Sequence, residues 1–310
     1  MEKIPLLVLF GPTASGKTAL AVELCKRFHG EVVTADSMQV YQKMDIGTAK
    51  PTLKEREGIA HHMIDVVPPD VPYSLADYVQ QAKRVIDKIA SRGKLPVLAG
   101  GTGLYIDTLL DNVQLGQAQA DPEYREQLWQ LAQQQGNEAV YELLQQRDPQ
   151  TAQTVHVNNV KRVIRALEIY YVTGIPQSEH IKRSRTEPSP YNAVKFCIQA
   201  ERQTLYQRIE ARVDLMIQNG LVEEVEQLKK MGLDESYTSM QGIGYKEILW
   251  YLQGKMSLEE AVDQIKQSTR RYAKRQITWF KREKDTISVE MEEKKKLEIF
   301  QKAMEIHAIV

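Results

Sequence analysis

Eight residues near the start of the chain, Gly11-Pro12-Thr13-Ala14-Ser15-Gly16-Lys17-Thr18, constrain the fold more than any other feature. They fit the pattern G-x-x-x-x-G-K-[ST] at every position. An apolar run, Ile4–Phe10, precedes them, and Ala19, Leu20, Val22 and Leu24 follow in a helical pattern. Strand, glycine-rich turn and helix in that order aim backbone N–H groups and a helix N-terminus at one phosphate. Lys17 adds a point charge, and the Thr18 hydroxyl can sit on Mg²⁺. A chance glycine turn has no such flanks, so a phosphate site is expected here. Which phosphate compound it holds is a separate question.

The rest of the first hundred residues alternates apolar runs with helical patterns, the mark of an α/β parallel sheet flanked by helices. Val32–Ala35, Met63–Val67 and Leu95–Ala99 are the further strand candidates. Between the last two, Val79, Ala82, Val85, Ile86 and Ile89 recur at helical spacing, opened by Ser74-x-x-Asp77 and closed by Gly93. Composition then shifts: twelve of the 40 residues from Gln114 to Gln153 are glutamine. Leu128, Leu131 and Ala132, then Val140, Leu143 and Leu144, keep helical spacing, and glutamine is a good helix former. A helical insertion is therefore expected over residues 113–190, dividing a phosphate-binding core of residues 1–112 and 191–310. Within it, Val160, Val163, Ile164, Leu167 and Tyr171 predict a helix over 158–172, and Ser184–Tyr191, with Pro188 and Pro190, reads as the connector out. Val194–Ala200 reads as a returning strand. Two long helices are expected after it, over Thr204–Met231 and Ser257–Lys284, the second about 40 Å long. The charged tail after Asp285 carries no chemical signal.

Composition excludes several classes. Lys+Arg and Asp+Glu both number 41, so bulk attraction to nucleic acid is absent and a basic site must be a local cluster. Cys25 and Cys197 alone make neither a disulfide framework nor a tetrahedral zinc site, which points to the cytoplasm. No apolar run reaches the ~18 residues that would span a bilayer. Ile4–Phe10 after Lys3 faintly resembles a signal peptide, but Gly11-Pro12-Thr13 stands where a cleavage site would be, so a buried strand is expected. A monomer is expected.

Asp36 ends the apolar run Val32-Val33-Thr34-Ala35, and three roles are open to it: holding Mg²⁺, acting as a base, or capping a loop. Local charge clusters twice. Residues 265–284 hold eight Lys/Arg against one acid, Glu283, with Arg271, Arg275 and Arg282 near one helical face; Lys161, Arg162 and Arg165 form a second patch. Each is either a solvated face or a set of phosphate contacts. Arg208 and Arg212, at i and i+4, can offer two guanidinium forks to a diphosphate or pair with Glu201 and Glu210. Adjacent His61 and His62 diverge and have no third ligand at a suitable spacing, so they read as structural, and Met38, Met44 and Met63 as packing.

Longer motifs carry a resemblance. After the loop come Asp36-Ser37-Met38-Gln39-Val40-Tyr41, Met44-Asp45-Ile46-Gly47-Thr48-Ala49-Lys50-Pro51 and Gly100-Gly101-Thr102-Gly103-Leu104-Tyr105. Ala120-Asp121-Pro122, Arg162-x-x-Arg165-Ala166-Leu167-Glu168, Gly242-x-Gly244-Tyr245 and Ala273-Lys274-Arg275-Gln276-Ile277-Thr278-Trp279 follow in order. Together they resemble the bacterial tRNA dimethylallyltransferase (tRNA isopentenyltransferase) family over about residues 4–282. The resemblance implies a P-loop NTPase-like fold with a helical insertion. The implied reaction is transfer of a dimethylallyl group from dimethylallyl diphosphate to N6 of adenosine 37, beside the anticodon of tRNA, releasing diphosphate.

It also implies site residues. Gly11 to Thr18 with Arg208 and Arg212 would hold the diphosphate with Mg²⁺, and Asp36, helped by Thr13, Ser37 and Lys17, would do the chemistry. Asp36 and Ser37 again, with Met38, Gln39, Thr102, Arg125, Lys161, Arg162, Arg165, Gly242, Gly244, Tyr245, Lys246, Arg271, Lys274, Arg275, Gln276 and Trp279, would meet the anticodon arm. Two other readings use the same loop: a small-metabolite kinase, and a non-catalytic RNA binder. A third is a relative that prenylates free adenine nucleotides. The kinase has no need of the basic helix, and the binder no need of an acid at position 36. Whether ATP binds is open.

Overall fold

Seven residues, Ile4–Phe10, form β1, whose last five side chains are buried. Such a strand needs cover on both faces and partners on both edges, and it has them. In the computed structural model, which describes residues 3–113, 121–184, 187–291, 296–307 and 309, six parallel strands run in the order β3-β2-β4-β1-β5-β6. β2 is Gly30–Ala35, β3 His61–His62, β4 Leu95–Gly100, β5 Tyr191–Gln199 and β6 Thr286–Glu290. β1 takes β4 on one side (Leu7 opposite Val97) and β5 on the other (Ile4 opposite Tyr191).

Helices α1 (Lys17–Arg27), α2 (Leu53–Arg56), α3 (Leu75–Ser91) and α4 (Gly103–Leu110) fill the connections of the first half. The start signals of α3 form as expected: Ser74 Oγ accepts from Asp77 N, and the Asp77 carboxylate accepts from Ser74 N. The chain divides into two compact units, Met1–Leu110 with Pro190–Val310, and Asp111–Ser189. The second unit holds α5 (Pro122–Gln135), α6 (Asn137–Arg147), α7 (Pro149–Ala152), α8 (Val160–Thr173) and α9 (Gln177–Ser184) around Leu128, Val140, Leu144, Val163 and Leu167. Asp121 caps α5, its carboxylate accepting from Tyr124 N, with Pro122 at the first helical position. Gln114 to Ala120 and, in the expected connector, Arg185 and Thr186 lie outside the described residues.

After β5 come α10 (Arg202–Gln218), α11 (Leu221–Lys230), α12 (Tyr245–Leu252), α13 (Leu258–Phe280) and α14 (Lys296–Ile306). Three expectations need correction. The helix expected over 204–231 is two, broken at Gly220, whose φ of 96° is left-handed and ends the turn. α13 starts at its Ser257–Glu260 capping box but stops at Phe280, so it is about 34 Å long. Met63–Val67 is not a strand: Met63 and Asp65 have positive φ, and only Val67 bridges to Tyr41. In the charged tail, Thr286–Glu290 completes the sheet against β5. The apolar clusters of the first unit include two large ones. One lies among β1, β4, β5, α1 and α14, and includes Leu24, Phe196 and Phe300; the other gathers Val40, Tyr41, Met44, Val213, Leu221, Tyr245 and Ile265.

Candidate active site

β1 ends in the expected loop. Gly11 is required by close approach, since a Cβ there would lie 2.6 Å from the Ile198 carbonyl oxygen. Gly16 has a left-handed φ of 76° at the start of α1. Ala14 also has positive φ, 62°, which an alanine adopts only when its surroundings impose it. Its methyl is held in a buried cluster with Leu205, Ile209 and Ala273. Lys17 curls over the loop, its Nζ donating to Pro12 O (2.6 Å) and Ser15 Oγ (3.3 Å), while Thr18 is exposed. Burial, reinforced by the Arg212 cation, lowers the Lys17 pKa to about 7.

Asp36 follows β2 beside this loop. Its Oδ1 accepts from Met38 N (2.9 Å) and Gln39 N (3.3 Å), so the loop-capping role open in the sequence is real. Both bonds fall on one oxygen, and Oδ2 carries none among the described residues. Burial pushes the Asp36 pKa up, while the two N–H groups and the Lys17 cation hold it back. Ser37 N donates to Thr102 Oγ1. Capping and base catalysis are therefore compatible in one carboxylate.

A cleft of about 300 Å³ opens at this point. Thr13, Asp36 and Arg212 form its polar end, and Ile209, Val213, Met216, Ile243 and Ile265 its apolar wall. Arg212 reaches Thr13 Oγ1 at 3.5 Å. It does not pair with the helix acids, because Glu210 binds Arg270 and Glu201 caps α10. Arg208 meets the sulfur of Met291, which itself lies beside Gly16. Both arginines thus stand near the phosphate loop.

The expected RNA-contacting residues separate into three groups. Arg271, Lys274 and Arg275 on α13 are exposed and, among the described residues, have no carboxylate partner, while Lys266 and Arg270 pair with Asp214 and Glu210. In the second unit Lys161 and Arg162 are exposed, whereas Arg125 and Arg165 flank the fully buried Glu168, which they and Asp121 N satisfy.

The third group is interior. Gln276, 5% exposed, accepts from Thr13 N (2.8 Å) and donates to Gly101 O (2.8 Å), so it ties the phosphate loop to the end of β4. Tyr245, 1% exposed, donates to Glu224 (2.6 Å). Burial leaves these two side chains no surface for RNA, which corrects the expectation. Trp279 is anchored by its indole N–H on Asp107 and lies against Gly103, and Gly242 accepts Met38 where a Cβ would sit 2.5 Å from its methyl. Gly244 opens α12, its N–H donating to Glu247, and Lys246 lies over the Trp250 ring.

His62 bonds Glu31 and His61 the Ile59 carbonyl, and no cluster of three metal-ligating side chains exists among the described residues. Among them too, no helix is long and apolar enough to cross a membrane. Sequence reasoning missed Lys50, buried and bonded to Asp45, Asp65 and the Tyr41 carbonyl, and Glu224, bonded to the backbone of 45–47. Neither is signalled by spacing.

Comparison with known proteins places this geometry in a family. The model of the IPP transferase family matches residues 39–283. A tRNA dimethylallyltransferase of Acetivibrio thermocellus is 53% identical over 277 residues, 89% of this chain and 88% of its own. That of Bacillus velezensis is 47% identical over 97% of this chain and 96% of its own. The crystal structure of the tRNA isopentenylpyrophosphate transferase from Bacillus halodurans, 43% identical, superposes with a TM-score of 0.71 over 99% of this chain and 95% of its own. A eukaryotic dimethylallyltransferase captured acting on tRNA, 31% identical, gives 0.81 over 97% and 77%. On these matches, and on the phosphate loop and cleft they share a chain with, this protein is a member of the IPP transferase family.

Proposed function

We propose that the cleft transfers the dimethylallyl group of dimethylallyl diphosphate to N6 of adenosine 37 in tRNA, releasing diphosphate. The observation that carries this is a single cleft lined by Thr13 of the glycine-rich loop, the Arg212 cation, the Asp36 carboxylate and an apolar wall. A small-metabolite kinase also uses a phosphate loop and an apolar pocket, but has no need of the exposed basic face of α13.

The diphosphate lies on the backbone N–H groups of Gly11 to Thr18, with Lys17, Arg208 and Arg212 around it. The dimethylallyl tail packs on Ile209, Val213, Met216, Ile243 and Ile265, which keep water from the allylic carbon. N6 attacks that carbon as the C–O bond to diphosphate breaks, and the cations stabilise the charge appearing on the leaving group. The bonded nitrogen becomes cationic, and Asp36 Oδ2 takes its proton. A raised pKa makes Asp36 a better base, while Oδ1, held by two N–H groups, fixes its direction. Thr18 offers an oxygen donor of the kind Mg²⁺ takes alongside substrate phosphates and water, so the site fits that ion. Magnesium, when bound, adds positive charge against the departing diphosphate.

The acceptor must leave its base stack to reach a cleft of this size. Arg271, Lys274 and Arg275 on α13, and Lys161 and Arg162 on α8, hold the anticodon arm by its phosphates. The protein works as a cytoplasmic monomer in this reading. Labelled dimethylallyl diphosphate offered with tRNA or with ATP tests it: label should enter tRNA. Label in ATP, or ATP hydrolysis without prenyl product, would overturn it.

A further inference from the structure

We propose that Glu224 is a positioning residue, setting one wall of the transfer cleft by clamping the backbone of residues 45–47. Its Oε2 accepts from Asp45 N (2.9 Å) and Ile46 N (2.9 Å). Its Oε1 accepts from Ile46 N (3.2 Å), Gly47 N (3.2 Å) and the Tyr245 hydroxyl (2.6 Å). Three successive N–H groups converging on one anion repeat, with a side chain, what the phosphate loop does for a ligand.

The next residues are the wall: Gly47, Thr48 and Ala49 line the cleft, whereas Glu224 stands behind it. Gly47 rests on the Tyr245 ring, where a Cβ would come within 2.5 Å. Gln39 Nε2 donates to Thr48 O and Ala49 O, joining this wall to the segment that carries Asp36. Lys50 pins the far end through Asp45 and Asp65. Glu224 accepts from the N–H groups of 45, 46 and 47, the Tyr245 hydroxyl also meeting Gly47 N, and Lys50, a donor only, cannot replace it. Losing its charge leaves donors facing donors and lets the wall drift relative to Asp36.

This rests on the cleft being the transfer site, and the test separates the two ideas. Glu224→Gln keeps the shape but substitutes an NH₂ for an accepting oxygen; Tyr245→Phe removes one hydroxyl and keeps the charge. Amide hydrogen exchange at 45–47 should quicken at least tenfold in Glu224→Gln, and single-turnover transfer at saturating substrates should slow about tenfold. Inorganic pyrophosphate affinity should stay within twofold, since the phosphate loop is untouched. Tyr245→Phe should slow transfer about threefold, and the double variant should be no slower than Glu224→Gln. Quickened exchange with unchanged transfer overturns the proposal. So does a loss shared in proportion by transfer, pyrophosphate affinity and protection throughout the sheet, which is a merely structural effect. If Glu224→Gln does not fold, an unchanged rate in Tyr245→Phe overturns it alone. Failure of the native protein to prenylate tRNA would defeat the functional reading, and exchange at 45–47 would still decide whether the clamp exists.

Discussion

The two ends of the cleft are built on opposite plans. The proposed phosphate end draws on eight consecutive residues, of which Thr13 lines the cleft, and nearly everything it would use, from backbone N–H groups to the Lys17 ammonium, comes from within them. The rest is assembled from segments far apart in the chain: 36–38, 47–49, 209–216, 241–243 and 265–275. A contiguous site carries its geometry in its own dihedral angles, while an assembled one inherits its geometry from packing. Substitution should therefore silence the first outright and grade the second.

The sharpest break is Lys17→Ala, which removes the charge from the phosphate end. Prenyl transfer to tRNA should fall below detection. Next, Asp36→Asn should slow the chemical step by about 10²–10⁴-fold in single-turnover assays, with pyrophosphate and tRNA binding kept. A near-normal rate would reduce Asp36 to its capping bonds, and a weakened Mg²⁺-dependent affinity for the diphosphate would make it a metal anchor.

The assembled wall gives smaller steps. Gly47→Ala drives a methyl into the Tyr245 ring, an overpacking worth about 1–3 kcal/mol. Calorimetry should show a lower melting temperature, with roughly tenfold slower transfer. Arg271→Ala with Arg275→Ala should weaken tRNA binding and flatten its salt dependence by about 1–2 units of log–log slope. An unchanged slope would make α13 a solvated face.

The smallest effect concerns protons. Lys17 titrates at about 7 when folded, against 10.5 as a free side chain. Between these values the unfolded chain binds more protons, so the Lys17 contribution makes stability rise with pH. Below about 7 both states are charged and the penalty of the buried cation is full. The melting temperature of Lys17→Met, relative to the native protein, should accordingly be higher at pH 6 than at pH 9.5. An equal difference at both would show that Lys17 keeps an ordinary pKa.

The same contrast explains what could be read from the chain. The phosphate loop, the α3 and α13 capping boxes and four of the strands are local patterns, and local patterns survive folding. Gly220 stops a helix only because its left-handed turn starts α11, which no periodicity around it announces. β6 is five residues of mixed polarity that become a strand by lying beside β5. Gln276 and Tyr245 look like RNA-facing polar residues in sequence, because burial is a property of the neighbours rather than of the residue. Glu224 is hardest of all: besides Tyr245, its partners are 177 to 179 positions away and are backbone amides, which leave no trace in residue type.

The sheet order also dictates a timetable. β1 is made first and lies inside the sheet, yet the partner on one of its sides, β5, begins at Tyr191 opposite Ile4. All of the Asp111–Ser189 unit is synthesised in between. At about 5–20 residues per second a ribosome needs on the order of ten seconds or more to supply that partner. Throughout that interval one hydrogen-bonding edge of an apolar strand stands open, the condition under which nascent chains pair with the wrong neighbour. The helical unit can complete its own core during the same wait. A nascent chain paused once the helical unit has emerged would thus hold that unit complete and the sheet unfinished, and there a chaperone would have most to do.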